Sequence, residues 1–387
     1  MALCGTCGDQ EGVNVARTST ARSASKPRGR ILRRVGLAAS LSIAALMLSG
    51  CSINNDVLRF GWPTGVTEQA HRMRELWTWS CIAALVMGVI VWGLTFWTVT
   101  FHRKKKGDDE FPKQFGYNVP LELAYTAAPF VIIAILFYFT VVVQNYVTEN
   151  KPNPDVTVDV TAFQWNWKFG YRTVGTGPDK VDLANHQRED QLKQQTRESV
   201  EHKNDEGEPR PGPIQGKDVE DLGYLHYDRV ETVGTSTEIP ILVVPTGKRV
   251  QIELASADVV HSFWVPEFLF KRDVMPDPEA NHQENIFQIS NIDREGAFVG
   301  RCAEMCGTYH SMMNFEVRAL NPQRFARYIE LRKPTDMGGK GLDNASALTQ
   351  LGKEDPSCGD LCSPVATTTH PFNPDRTYRQ ASEDTTR

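Results

Sequence analysis

The sequence predicts a membrane α + β protein, a two-helix transmembrane hairpin followed by an exported β-sandwich. Three observations carry this. Two apolar stretches, about 76–101 and 121–147, each exceed the roughly 20 residues needed to cross a bilayer. Between them lie His102, Arg103, Lys104, Lys105, Lys106 and Lys113, a basic loop that the positive-inside rule places in the cytoplasm. Beyond Pro152 the pattern changes to short runs of alternating apolar and polar residues, the period of half-buried strands. A chain of 387 residues has room for two or three such units.

Residues 1–50 read as a presequence ending in a lipoprotein signal peptide. They hold seven Lys/Arg against two Asp/Glu, so the net charge of −5 hides an acidic remainder near −10. That remainder fits solubility or a basic partner, not nucleic acid. Lys26, Arg28, Arg30, Arg33 and Arg34 precede an apolar run, 35–48, that is too short to span a bilayer. The run ends in Leu48-Ser49-Gly50-Cys51, which resembles a bacterial lipobox and makes Cys51 a candidate lipidation site. Two crossings then put both mature ends outside, which agrees with a lipid on Cys51. The region 51–150 is the hairpin. Trp77, Trp79 and Trp97 lie near the ends of its first span, as interfacial aromatics do. Glu122 stands in the first turn of the second, where a carboxylate suits a helix N-terminus.

The sandwich is expected over 151–333. Val156, Val158 and Val160 share one face, and Phe163, Trp165, Trp167, Phe169 and Tyr171 alternate after them. Residues 172–235 interrupt the pattern with a polar insertion, in which a short helix is possible around 188–203. Structureless loops beyond about 15 residues are usually functional or disordered. Strands resume at 239–244, 250–254, 286–289, 297–302 and 314–318, and a short helix is expected over 322–332. The tail, 334–387, is rich in Gly, Ser, Thr and Asp and is expected to be disordered.

The eight cysteines form no small-protein disulfide framework: Cys4, Cys7, Cys51, Cys81, Cys302, Cys306, Cys358 and Cys362 are scattered over separate regions. Cys358 and Cys362 are spaced for a small disulfide, and no Cys-x-x-Cys-His binds haem covalently. Cys302, Cys306, His310 and Met313 crowd into twelve residues, with His261 upstream. Cys302 and Cys306 could form a disulfide in an exported domain, or join His261 and His310 around zinc. The thioether of Met313 favours copper, and a second thiolate can bridge two metal ions.

The spacing Cys-x3-Cys-x3-His-x2-Met with a remote Asp-x-x-His-Ser resembles the dinuclear CuA motif of cytochrome c oxidase subunit 2. The resemblance implies a cupredoxin-like sandwich holding two copper ions. The ligands it implies are His261, Cys302, the carbonyl of Glu304, Cys306, His310 and Met313. It also implies that the Glu304 side chain reaches a magnesium ion at the border with subunit 1. Gln164-Trp165-x-Trp167 is similar to the family's aromatic region, which gives Trp165 the role of taking up electrons from cytochrome c. Asn118, Glu122, Thr126 and Pro129 match the family signature around the second helix, with Tyr125 in place of Trp. There Glu122 would open a proton path into subunit 1.

The expected activity is transfer of electrons from cytochrome c to CuA and on to haem a in subunit 1, which with CuB reduces oxygen to water coupled to proton pumping. Oxidase subunits 1 and 3 are the implied partners, in the cell membrane with the copper domain outside. The insertion 172–235 is expected to contact a membrane-bound dihaem cytochrome of a cytochrome bc complex. The alternatives are the CuA subunit of a nitric oxide reductase, against which the Glu122 signature argues, and a copper-binding lipoprotein, which has no need of Trp165 or Glu122.

Overall fold

Thr67 starts the first helix. Its hydroxyl accepts the Ala70 N–H at 3.0 Å, the N-cap interaction that satisfies an orphan donor of the first turn. The computed structural model describes residues 59–370 apart from 105–106, 108–110, 112–113, 115 and 202–221. The presequence, Cys51, the middle of the insertion and residues 371–387 therefore lie outside the described residues. Helix α1 is Glu68–Phe101 and α2 is Val119–Thr148, both long and apolar enough to cross a membrane. Helix α1 begins earlier than its apolar span because its first turn belongs to the exported domain. Val66, Thr67, Gln69 and Ala70 are buried there. The Val66 N–H donates to Glu267 O at 3.0 Å, and the Val66 carbonyl accepts from Asp293 N–H at 2.9 Å. The Gln69 side-chain amide donates to Gln288 O and to Ser290 Oγ.

The exported domain is a sandwich of two sheets. One runs β3-β2-β1-β6-β9, with β4 also paired to β2; the other runs β5-β11-β10-β7-β8. The first comprises β1 Val156–Phe163, β2 Asn166–Val174, β3 Val181–Asp182, β4 Glu231–Val233, β6 Val250–Ser256 and β9 Ile286–Ile289. The second comprises β5 Ile241–Pro245, β7 His261–Val265, β8 Phe270–Val274, β10 Gly296–Cys302 and β11 Asn314–Leu320. Strands β1 and β6 are parallel neighbours in the middle of the first sheet and mostly buried, as parallel strands covered on both faces are. The aromatic stripe of β2 joins the layers. Trp167 and Phe169 meet Phe315 of β11 at ring-centroid separations of 5.1 and 5.5 Å, and Phe263 of β7 lies 4.7 Å from Phe315. Full burial of such side chains contributes about 2–3 kcal/mol each. The Tyr171 hydroxyl donates to Val243 O at 2.6 Å and accepts from Val243 N–H at 3.1 Å, which satisfies it within the core.

The insertion is more structured than its composition suggests. It contributes β3, β4 and helix α3, His186–Glu201, and β4 extends the sheet by pairing with β2. Arg172 of β2 anchors α3: its Nη1 lies 3.0 Å from both Asp159 Oδ2 and Glu189 Oε1.

The expectation of a disordered tail from 334 is corrected over its described part. After α4, Pro322–Arg332, the chain forms α5, Asn344–Glu354, and a short helical turn at Pro356–Cys362 closed by a Cys358–Cys362 disulfide. Ala347, Leu348 and Leu351 of α5 are buried in the main core, so three apolar residues at helical spacing outweigh the polar composition around them. The chain then crosses β11 as a strap. Arg318, fully buried, donates to Glu316, to the carbonyls of Leu361 and Val365 at 3.1 and 2.6 Å, and to that of Ser363. Glu316 Oε2 accepts the backbone N–H groups of Thr367 and Thr368, each at 2.7 Å. A buried ion pair holds only when its remaining hydrogen-bonding capacity is filled, and the strap fills it.

Candidate metal centre

Strand pairing brings the soft donors together. His261 is the first residue of β7 and Cys302 the last of β10, and the two strands pair with Cys302 opposite Phe263. The loop from Cys302 returns through a short helical turn, His310–Met312, and β11 starts immediately after Met313. The Cys302 N–H donates to Met313 O at 3.0 Å and closes the loop at its neck. Gly307 allows the tight bend: it has φ +114, and a Cβ there would lie 3.2 Å from the Trp165 ring.

The sulfurs of Cys302 and Cys306 stand 3.8 Å apart, both unbonded and buried. A disulfide requires about 2.0 Å, so that alternative is not what the chain adopts. On one side, His261 Nδ1 lies 3.8 Å from Cys302 Sγ, and the Glu304 carbonyl lies 3.2 Å from the same sulfur. On the other, His310 Nδ1 and Met313 Sδ lie 3.5 and 3.8 Å from Cys306 Sγ. His261, Cys302 and Cys306 have donor atoms within 4.8 Å of one another, and His310 falls outside that group. Four ligands of one zinc ion would all lie within about 4 Å of each other. The donors instead form two overlapping sets, His261, Cys302 and Cys306 in one and Cys306, His310 and Met313 in the other, that share the Cys306 sulfur.

The titratable groups of the site act on one another. Contact with the Cys306 thiol, aided by His261 and opposed by burial, holds the Cys302 thiol down at about 3. Cys306 is pushed up in turn, because it neighbours that sulfur and is itself buried. Burial opposes protonation of His261, but Asp258 and Cys302 together raise it above its ordinary value. Two thiols, two imidazoles, a thioether and a carbonyl make a donor set that fits copper.

Around the donors lies a layer in which Asp258 and the Gln164 side chain had no role assigned from the sequence. Asp258 Oδ1 is 2.8 Å from His261 Nε2, so Nδ1 is the nitrogen turned to the sulfurs. Asp258 Oδ1 also accepts the Val259 N–H at 2.7 Å, and Oδ2 accepts the Gln164 N–H at 2.6 Å. The side-chain amide of Gln164 and the indole N–H of Trp165 both donate to the Cys306 carbonyl, at 2.8 and 2.9 Å. Trp165 is half-buried, and the Tyr309 ring stands edge-on to it at 4.8 Å. The Asp258–His261 spacing of three was visible in the sequence; the reach to Gln164, 94 residues away, was not.

The structure thus brings together His261, Cys302, Glu304 through its carbonyl, Cys306, His310 and Met313, with Trp165 one hydrogen bond away. Glu122 is remote, at the far end of a 30-residue helix about 45 Å long. Its Oε1 accepts the Asn118 N–H at 2.9 Å while Asn118 caps Leu121, so it serves the helix start. The Glu304 carboxylate belongs to no candidate metal group among the described residues.

Comparison with known proteins bears on the family. The family model described as "Cytochrome C oxidase subunit II, periplasmic domain" matches residues 231–320. A probable cytochrome c oxidase subunit 2 of Nocardia farcinica is 62% identical over 387 residues, covering 97% of this chain and 98% of that protein. Cytochrome c oxidase subunit 2 of Mycobacterium tuberculosis is 52% identical, covering 89% of this chain and 90% of its own. That of Corynebacterium glutamicum is 45% identical, covering 91% and 96%. With two membrane-length helices, an exported sandwich and relatives matched along nearly their whole length, the chain belongs to the cytochrome c oxidase subunit 2 family and is a subunit of that oxidase.

Proposed function

We propose that the chain is the electron-accepting subunit of the oxidase, sits in the cell membrane, and takes electrons from cytochrome c at a dinuclear CuA site. The observation that carries this is the pair of unbonded sulfurs 3.8 Å apart, with His261 Nδ1 against Cys302 and His310 Nδ1 against Cys306. His261, Cys302, Cys306, His310, Met313 and the Glu304 carbonyl would hold the two ions, which supply one-electron chemistry when bound.

The protein's own part is to keep those donors still. Cys302 and His261 are fixed at strand ends, Met313 is tied to β11, and Asp258 orients the His261 ring. Trp165 donates to the Cys306 carbonyl, so its indole connects the outer surface to the site through one hydrogen bond. Electrons then pass to haem a in subunit 1, where oxygen is reduced to water and protons are pumped. In this reading Glu122 stands at the cytoplasmic mouth of a proton path, and the Glu304 side chain faces a magnesium ion shared with subunit 1. Subunits 1 and 3 are the chain's partners in the complex. The electron donor is a membrane-bound dihaem cytochrome of a cytochrome bc complex, met by the insertion.

Cys306→Ser tests the assignment. The purified oxidase should lose the mixed-valence two-copper EPR signal while retaining its haems. A normal two-copper signal in that variant would refute the bridging role.

A further inference from the structure

The insertion turns an apolar face inward, onto the two strand ends that carry the site. Leu192 of α3 with Leu222 and Leu225 beyond it are buried against Ala255 and Ala257, with Phe163 packed alongside. Phe163 ends β1 and leads directly into Gln164 and Trp165. Ala255 and Ala257 flank Ser256, which ends β6 and leads into Asp258 and His261. The Tyr224 hydroxyl donates to Ser256 O at 2.5 Å. Ser256 Oγ in turn donates to Val259 O and accepts the Asp258 N–H at 3.2 Å. The two strand ends are linked as well, by Ala257 N–H to Ala162 O at 2.8 Å and by Asp258 Oδ2 to Gln164 N–H.

We propose that the insertion is a positioning brace for the metal centre, acting through Tyr224 and the Leu192–Leu222–Leu225 face on the ends of β1 and β6. Those ends fix Trp165 and His261. Each has one side against the sandwich core, and the brace supplies the other. A connection serving only as a surface loop would have no reason to bury three leucines against these two strand ends. Arg172, between Asp159 and Glu189, anchors the brace at its base. The proposal rests on the reading of His261 as a metal ligand. It assigns Tyr224, Leu222 and Leu225 to positioning, since none of them touches the donor atoms.

The test uses the intact oxidase with Tyr224→Phe, which removes one hydroxyl, and Leu225→Ala, which removes part of the packing. Gln191→Ala, on the exposed side of α3, is the control. Amide hydrogen exchange should speed up about 5–10-fold at residues 163–165 and 256–262, and stay at the parent rate in β10 and β11. Copper loss to an added chelator should accelerate several-fold in both variants and not in the control. Parent-like exchange and copper retention, or exchange speeded equally through both sheets, would overturn the proposal. If the parent oxidase held no copper in this domain, the ligand reading would fall, and the exchange data would still decide for or against the brace.

Discussion

Asp258→Ala isolates what the layer around the donors contributes. The carboxylate is 7% exposed and serves three partners: His261 Nε2, the Val259 N–H and the Gln164 N–H. Alanine leaves all three without that acceptor. An unsatisfied buried donor costs about 1–3 kcal/mol, and partial exposure of the loop brings the total to roughly 2–6 kcal/mol. That is a large share of a typical domain stability of about 5–15 kcal/mol. The loss of ring orientation acts separately, because removing the hydrogen-bond partner of a ligating imidazole typically lowers metal affinity about 10–100-fold. Asp258→Asn keeps one carbonyl oxygen for His261 and places a donor against the Gln164 N–H. It should therefore retain most of the affinity while disturbing the Gln164–Trp165 turn. The assay is competitive copper titration of the metal-free protein against a chelator of known affinity, alongside thermal melts. Affinity for Asp258→Ala within twofold of the parent would refute the orienting role.

Glu122→Gln should slow turnover of the oxidase while copper reduction by the donor proceeds at the parent rate; stopped-flow absorbance separates the two, and slowed copper reduction would point to misassembly. Ending the chain at residue 355 removes the acceptors and donors that the strap supplies to the buried Arg318–Glu316 pair, and should cost at least about 3 kcal/mol, read as a fall of roughly 10 °C in the melting temperature. Asp228→Asn should stabilise the domain increasingly at higher pH. Burial, then Asp159 and Glu231, raise the Asp228 carboxyl to about 9, against the pull of Arg172 and Lys168. The folded state therefore holds a proton that the unfolded state, with a pKa near 3.9, gives up, and parent stability falls as pH climbs from about 4 to about 9. Melts at pH 5 and pH 8 should show the gap between variant and parent widening; a constant gap would contradict this reading.

Periodicity and spacing carried the architecture because those signals are local. Runs of apolar residues marked the hairpin, alternation marked Val156 to Val160, and the donors other than His261 lie within one loop. What stayed hidden depends on contacts between distant residues. Nothing near Asp258 announces that its second oxygen meets Gln164. The tail hid α5 because Ala347, Leu348 and Leu351 are few among Gly, Asp and Ser, and their burial depends on α4 and the sandwich. The insertion hid its inward face for the same reason: Leu192 is separated from Leu222 and Leu225 by a long polar stretch, and only folding makes them neighbours. Burial of Glu316 and Arg318 in β11 goes against their residue types, and the chain that shelters them arrives more than forty residues later.

The first turn of α1 carries a practical consequence for dissecting the protein. The apolar pattern invites a cut between membrane and exported parts on the near side of β1, with everything before residue 150 discarded. Val66 to Ala70 are nevertheless part of the sandwich wall. Val66 belongs to the same core as Ile292 and Phe268, and Gln69 completes the polar contacts of Gln288 and Ser290. A soluble fragment starting at 150 would carry an open seam along β9 at the point where the hairpin normally docks. Fusing residues 62–72 back through a short flexible linker should close that seam. The natural unit for expression is thus a sandwich with its own detached first turn restored, and the membrane boundary within α1 lies beyond Ala70.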